Sequence, residues 1–194
     1  VTGLAGIGEG AYGAIAQFTV EPNDNLAFGL TYIRSYNNID TKTGSRRAND
    51  PFDDESNAIA ADSFGIQSTL RVQPNLTVAS WFGFTRASAQ DLADDPKASI
   101  VNFGLTVSLS DLIKEGSLAG FAIGLPPKVI RNDFAVDDND YTDPDTSIQL
   151  EAFYRYPVSD NITITVGGLV ITNPEHNRDN DTVYVGTIRT TFSF

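Results

Sequence analysis

The chain has 194 residues, with 25 acidic and 13 basic side chains, no cysteine and no methionine. A net charge of −12 argues against nucleic-acid binding, and without cysteine no disulfide can form. No apolar run approaches the roughly 18 residues of a transmembrane helix. The abundance of Gly, Phe, Tyr, Thr and Val instead favours a β-rich protein held together by strand pairing and burial.

Nine segments show the alternation of β-strands. In chain order they are 11–20, 26–36, 63–72, 76–87, 98–109, 118–130, 147–158, 162–172 and 182–194. Each runs for 10 to 13 residues, about twice the ~5–6 residues that are usual in soluble sheets. That length matches the ~9–11 residues that a tilted strand needs to cross a bilayer, so the segments are predicted to be transmembrane strands.

The connections between these segments alternate between short and long. The short ones are 21–25, 73–75, 110–117 and 159–161, and the long ones are 37–62, 88–97, 131–146 and 173–181. Tight periplasmic turns alternating with long outer loops are typical of outer-membrane barrels. The long connections hold 18 acidic and 6 basic residues, which accounts for the whole net charge. We therefore expect acidic extracellular loops and short periplasmic turns.

The period-two pattern assigns side chains to two faces of the sheet. One face is apolar and is predicted to contact lipid through Tyr12, Phe18, Phe64, Leu70, Phe103, Leu150, Tyr154 and Phe192. The other face is sparse and polar and is predicted to line a pore through Gln17, Gln67, Arg71, Gln149, Glu151, Arg155 and Arg189. An arginine at the lipid midplane costs ~2–4 kcal/mol, so the arginines favour this assignment over the opposite one.

The chain ends on the strand "TVYVGTIRTTFSF". Phe192 and Phe194 fall on the apolar face, where they are expected in the aromatic girdle at the periplasmic rim. Burying each ring in that interface contributes on the order of 1–3 kcal/mol. Resemblance to outer-membrane proteins in general implies that Phe192 and Phe194 also serve as a barrel-assembly signal.

Two stretches carry a family resemblance. "GEGAYGAIAQFTVEPNDNLAFGLTYIRSYN" (8–37) and "DTVYVGTIRTTFSF" (181–194) resemble the cyanobacterial outer-membrane porins of the carbohydrate-selective porin family, often labelled iron-uptake porins. The resemblance covers most of the chain. It implies an all-β, antiparallel transmembrane β-barrel, a homotrimer, and an upstream module that binds the cell wall. That module and the upstream strands lie outside this chain.

The strand count bears on how the barrel closes. Nine is odd, whereas single-chain bacterial barrels have even numbers of strands, and residues 1–8 could supply a tenth. The chain is therefore interpreted as one barrel domain over 1–194. It would be the C-terminal part of a larger porin barrel of about 16 strands. A small closed barrel is the alternative.

Few residues suggest chemistry. His176, the single histidine, is expected in solvent within its loop, and "GIGEG" lacks the features of a phosphate-binding loop. Asp137, Asp138 and Asp140 resemble a calcium loop by composition only, without its characteristic glycine and glutamate. Trp81 falls on the polar face, where it would stack on a sugar or pack against an inward loop. We expect no catalytic residue, no cofactor and no dedicated metal site.

The resulting functional hypothesis is a porin that lets small polar solutes and ions diffuse passively. Phe52 and Phe134 are aromatics in the acidic connections 37–62 and 131–146, so at least one connection is expected to fold inward and narrow the pore. Expected partners are outer-membrane lipid, further copies of the chain and the solutes. Two alternatives remain: a structural outer-membrane anchor with a plugged lumen, and a soluble all-β carbohydrate-binding protein or enzyme.

Overall fold

A computed structural model describes residues 10–136 and 139–194. Nine long strands form one antiparallel sheet in which every neighbour in space is the next long strand along the chain. Within the described residues, no helix is long and apolar enough to cross a membrane. The elements are β1 (Tyr12–Asn23), β2 (Leu26–Tyr36), α1 (Arg46–Asn49), β3 (Ile59–Gln73), β4 (Leu76–Ala89), β5 (Lys97–Ser110), β6 (Leu118–Asn132), the short hairpin β7 (Ala135–Val136) and β8 (Asn139–Asp140), β9 (Ile148–Ser159), β10 (Ile162–Thr172), a 3₁₀ helix (Pro174–His176) and β11 (Val183–Phe192).

The predicted all-β fold and all nine predicted strands are confirmed, with one marked shift in a boundary. β3 begins at Ile59, four residues before the predicted start, because Ala60 pairs with Tyr36 and Ile59 pairs with Ala89. Asp62 therefore belongs to a strand, not to a loop. The sheet is open between β1 and β11 in the described residues, and the single barrel domain over 1–194 stays a prediction.

One face of the sheet, here called the apolar face, carries the predicted lipid-facing residues. The register aligns Phe18, Leu30, Ile66, Phe82 and Phe103 on five successive strands. Phe18 is 66% exposed and Phe192 is 58% exposed, and Phe64, Leu70 and Phe103 are also exposed. Tyr12, Leu150 and Tyr154 are half-buried. Contact of this face with lipid stays a prediction.

Buried side chains concentrate at the end of the sheet that carries the long connections, here called the loop end. Phe52 is fully buried against small residues of three neighbouring strands. These are Ala61, Ala87, Ala89 and Ala98. A second cluster joins Ala48 of α1 to Ile100 and Val129. Because alanines leave room above the sheet, the first long connection packs directly onto its surface.

The ladder between β6 and β9 is short. It ends at the pair Gly124–Gln149, although β6 continues to Asn132. Pro126 and Pro127 follow that pair, and proline has no N–H to donate to a ladder. The β5–β6 register also shifts opposite them. The second half of β6 therefore offers free backbone groups on its β9 side, and these must find other partners.

Candidate functional site

The candidate site is the polar face, opposite the apolar one. The register carries this face across the whole sheet, because Gln67 pairs with Trp81, Trp81 with Gly104, Gly104 with Gly124 and Gly124 with Gln149. The strand register places all seven predicted pore-lining residues on it. Gln17, Arg71, Glu151, Arg155 and Arg189 are exposed, whereas Gln67 and Gln149 are half-buried.

The connection 37–58 folds onto this face at the loop end. Its turn at Gly44 lies against the free edge of β6, where a Cβ would come within 2.4 Å of the Pro127 carbonyl oxygen. The φ angle of +80° at Gly44 also favours glycine. The next residue, Ser45, donates its N–H to that same carbonyl over 3.3 Å. The connection is therefore fastened to the backbone that the two prolines leave free.

Asp143 forms the centre of a buried polar network that holds this connection. Its Oδ2 accepts hydrogen bonds from the Val129 N–H (2.7 Å) and the Ser45 hydroxyl (2.8 Å). Ser45 in turn caps α1 by accepting from the Ala48 N–H over 3.0 Å. Burial raises the pKa of Asp143, while the hydrogen bonds from Val129 and Ser45 oppose that rise. One carboxylate thus joins the connections 37–58 and 133–147 to β6.

The prediction that His176 is a solvated loop residue is wrong. The side chain is 1% exposed. Its Nδ1 accepts from the Ser147 N–H over 2.8 Å, so its Nε2 carries the proton and donates to the Pro127 oxygen over 3.0 Å. Both ring nitrogens are used by backbone groups, and the ring has no nitrogen left to activate a hydroxyl nucleophile. Its role in the structure is to fasten the last long connection to β6.

Aromatic packing joins the connections 37–58 and 133–147. Phe52 meets Phe134 edge-on at 6.0 Å, and Phe134 meets Tyr141 edge-on at 6.1 Å. The Tyr141 hydroxyl donates to Asp53 over 2.8 Å, and the Arg47 guanidinium lies 4.9 Å from the Tyr141 ring centre. Burial, followed by the hydrogen bond to Asp53, raises the pKa of Tyr141 to about 12.

The expectation that a connection folds onto the polar face is met by 37–58, which covers its loop end, and the narrowing of a pore stays a prediction. Phe52 is fully buried there and Phe134 packs against it. Glu175 adds a further tie from the last connection by accepting from the Arg46 N–H. Neither Asp143 nor Glu175 was singled out from the sequence, because their partners are distant in the chain.

A cavity of about 750 Å³ lies between the inward connection and the strands below it. Trp81 forms part of its wall and is 46% exposed. The indole covers Gly104, where a Cβ would be 2.1 Å from the ring. Trp81 therefore occupies the space above Gly104 and lines the same cavity as Thr41 to Gly44 of the connection. The polar lining includes Lys42, Asn102, Gln149, Glu151 and Glu175.

A second cavity, of about 480 Å³, lies nearer the opposite end, here called the turn end. It brings together Glu151, Arg155 and Arg189 of the predicted pore-lining set. Gln17, Gln67 and Arg71 line neither of these cavities. Phe153 lies between the charged residues, a position that the alternation placed on the polar face without marking it as functional.

The described residues form no cluster of three or more acidic, histidine or cysteine side chains that could hold a metal ion. Of the weak calcium candidates, Asp137 and Asp138 lie outside the described residues, and Asp140 is exposed at the end of β8. Hydroxyl, amide and charged side chains of the polar face line the two cavities.

Sequence comparison identifies the fold family. Residues 3–194 match the family described as the carbohydrate-selective porin, OprB family. The chain belongs to this family. Two curated relatives are also similar to it. An uncharacterized protein of Synechocystis sp. is 36% identical over 97% of this chain and 37% of its own length. An uncharacterized protein of Nostoc sp. is 29% identical over 97% of this chain and 33% of its own length.

This OprB-family chain spans about a third of the length of the curated relatives that it matches. Both relatives are cyanobacterial proteins, in agreement with the resemblance found in the sequence. No solved structure matches the chain. The porin family is generally non-enzymatic.

Proposed function

We propose that the chain forms part of the wall and the constriction of an outer-membrane porin. Small polar solutes and ions would diffuse passively through the water-filled lumen of the complete barrel. One observation carries this proposal: a single sheet has a continuous apolar face and an opposite polar face onto which a long connection folds. In this arrangement the apolar face contacts lipid, the polar face lines the pore, and 37–58 narrows it.

The height of the apolar face supports this proposal. At the loop end the register aligns Arg34, Asp62, Arg86 and Arg131 in one row across the apolar face. On β4 the residues from Leu76 to Arg86 would span about 26 Å at ~3.4 Å per residue and a ~40° tilt. Outer-membrane barrels have an apolar band of ~25 Å, so the charged row lies where headgroups would begin.

The few polar side chains within this band support the same interpretation. Ser68 and Ser80 face one another in the middle of the apolar face, and their hydroxyl oxygens are 2.9 Å apart. In lipid an unpaired polar group costs several kcal/mol, because no water can satisfy it. In this contact one hydroxyl donates to the other, so it pairs the donor of one serine with the acceptor of its partner without help from water.

Membership of the porin family implies the outer membrane as the location. We place the long acidic connections outside the cell and the short turns on the periplasmic side. Their charge would concentrate cations at the mouth, whereas Arg71, Arg155 and Arg189 make the wall mildly basic. A homotrimer and attachment to the cell wall through an upstream module complete the proposal.

Conductance of the full-length protein in planar bilayers tests the proposal. Discrete single-channel openings are expected, with a conductance that rises when 40–54 is replaced by a short Gly/Ser linker. A wild-type protein that inserts without conducting, and conducts only after the replacement, would instead be an anchor with a plugged lumen. A protein that partitions into buffer and not into detergent would be a soluble carbohydrate-binding protein.

A further inference from the structure

The second cavity contains two arginines at one level of the sheet. Thr165 of β10 pairs with Arg155 on one side and with Arg189 on the other. Two strand spacings of ~4.8 Å place their Cα atoms about 10 Å apart on the same face. Arginine side chains are long and flexible, so both guanidinium groups can reach a single small ligand held above Thr165.

Neither arginine has an acidic partner in the part of the chain that the structure describes. Four other arginines form ion pairs with aspartates. These are Arg34, Arg46, Arg131 and Arg178. Glu151, the acid nearest to Arg155 along its strand and on the same face, is four residues away, or about 13 Å at the rise of a strand. Glu151 also lines the cavity, but two guanidinium groups against one carboxylate leave its charged lining net positive.

The floor of this cavity is shaped and largely apolar. The Phe153 ring lies over Gly120, where a Cβ would be only 2.2 Å from the ring. On β10, Gly167 lies close to both neighbouring strands, since a Cβ there would be 3.2 Å from the Phe153 Cβ and 3.3 Å from the Thr187 Cγ2. Leucines and valine complete the apolar part. These are Leu118, Leu169 and Val185.

We propose that Arg155 and Arg189 form a binding subsite for phosphate groups, carried by inorganic phosphate or by a phosphate ester. Guanidinium groups bind such oxygens through paired hydrogen bonds, and the hydroxyls of Thr165 and Thr187 line the same cavity. The apolar floor beside Phe153 accommodates the carbon skeleton of an ester. The subsite lies on the turn-end side of the constriction. It rests on the proposed function, because it requires the polar face to be in water.

Block of single-channel current measures this binding in the full-length protein. Phosphate and glucose 6-phosphate, each added to a constant KCl background, are expected to reduce the current of the wild-type protein. Arg155→Gln and Arg189→Gln are each expected to raise the half-blocking concentration about tenfold. Arg155→Lys, which keeps the charge but loses the planar fork, is expected to give an intermediate value.

Arg71→Gln is the matched control. Arg71 is also cationic, exposed and on the polar face at the turn end, but it does not line this cavity. The half-blocking concentration of this variant is expected to stay within twofold of the wild type. If Arg71→Gln raised the half-blocking concentration as much as Arg155→Gln does, the effect would be diffuse electrostatics and the subsite would be overturned. Any block of the current by glucose, which carries no phosphate, is expected to be the same in the wild type and in all these variants.

Two comparisons distinguish the remaining outcomes: block by inorganic phosphate against block by glucose 6-phosphate, and a protein that conducts against one that does not. Equal block by both compounds supports recognition of the phosphate group alone, and stronger block by the ester supports a contribution from the Phe153 floor. An open pore that neither compound blocks overturns the subsite while the porin function stands. If the protein does not conduct, the porin proposal fails, and phosphorus NMR line broadening in detergent decides the subsite. The subsite is supported if the phosphorus line broadens with the wild type and with Arg71→Gln but not with Arg155→Gln. Any other result overturns the subsite.

Discussion

The two ends of the sheet use the same strands but are stabilised differently. At the loop end Phe52, Val129 and His176 are almost completely buried by contacts between connections that are far apart in sequence. At the turn end the connections are tight, and Ile113 in the longest of them is 78% exposed. Backbone ladders therefore define the sheet along its whole length, whereas nearly all of the buried side chains in the described residues lie at the loop end, and Ser117 is the buried exception at the turn end.

The largest effect is expected from Phe52→Ala. Removing this fully buried ring from the alanines beneath it should lower the free energy of unfolding by about 3–5 kcal/mol, because a cavity remains above the sheet. The connection 37–58 would then leave the polar face. Hydrogen exchange of the Ala48 and Asn49 amides should accelerate, and single-channel conductance should rise.

Ile113→Ala is the control at the turn end. It removes an exposed apolar side chain of a connection, and its effect is expected to stay within about 0.5 kcal/mol. If Phe52→Ala changes neither exchange nor conductance, the inward connection is not held by this packing, and the contrast between the two ends fails.

A smaller loss of folding stability is expected from His176→Ala. The change leaves the Ser147 N–H without its acceptor and removes one donor from the Pro127 carbonyl oxygen, at a cost of about 1–3 kcal/mol. Arg178→Ala, in the same connection, removes an exposed pair with Asp145 and should cost no more than about 1 kcal/mol. Thermal unfolding in detergent ranks the two variants. The reverse ranking would contradict the assignment of His176 as a fastening residue.

Loss of the cap of α1 should have a still smaller effect. Ser45→Ala removes the side-chain acceptor of the Ala48 N–H and one donor to Asp143, and caps of this kind contribute about 1 kcal/mol. Asn23→Ala offers the turn-end counterpart, since its side chain accepts only from the Asn25 N–H. Amide exchange in α1 should respond to Ser45→Ala alone. A response to Asn23→Ala would mean that the two ends are coupled.

The smallest effect on stability is expected from the pH dependence of the hydrogen bond between Tyr141 and Asp53. The pKa of Tyr141 is raised from 10.0 to about 12, so the folded protein binds the phenolic proton more tightly than the unfolded chain does. Its contribution to stability is complete below about pH 10 and is lost as the pH rises towards about 12. The ultraviolet phenolate titration of the wild type minus that of Tyr141→Phe isolates this group.

The same phenolate titration of Asp53→Asn tests the contribution of the hydrogen bond to the pKa of Tyr141. The substitution removes the negative charge that disfavours the phenolate, so the pKa of Tyr141 should fall while burial keeps it above 10.0. An unchanged titration curve would show that burial alone raises the pKa and that the hydrogen bond to Asp53 contributes nothing.

The strands and their two faces could be predicted because both follow from local period-two patterns. Phe18 and Gln17 are adjacent in sequence and must point to opposite sides of a strand. The inward connection could also be anticipated, since Phe52 is an apolar ring in an acidic segment and requires a surface to cover. These inferences needed only the residue types and their spacing.

Other features depend on the register of strands and on long-range contacts, which a single sequence does not reveal. His176 has the polar neighbours of a solvated loop, and only the free edge of β6 explains its burial. Arg155 and Arg189 are 34 positions apart, and their common level follows from the pairing of both with Thr165. The start of β3 was misplaced because its alanines match a strand only once the connection that covers them is known.

Pro126 and Pro127 have a consequence for the integrity of the wall. Where they end the β6–β9 ladder, the second half of β6 has no strand paired on its β9 side. Ser45, Asp143 and His176 occupy that side and are joined by hydrogen bonds to one another or to β6. In the proposed porin, the groups that close this gap between strands are therefore the same groups that hold 37–58 over the polar face. A variant that releases 37–58 is then expected to make the wall permeable from the side as well as to widen the pore.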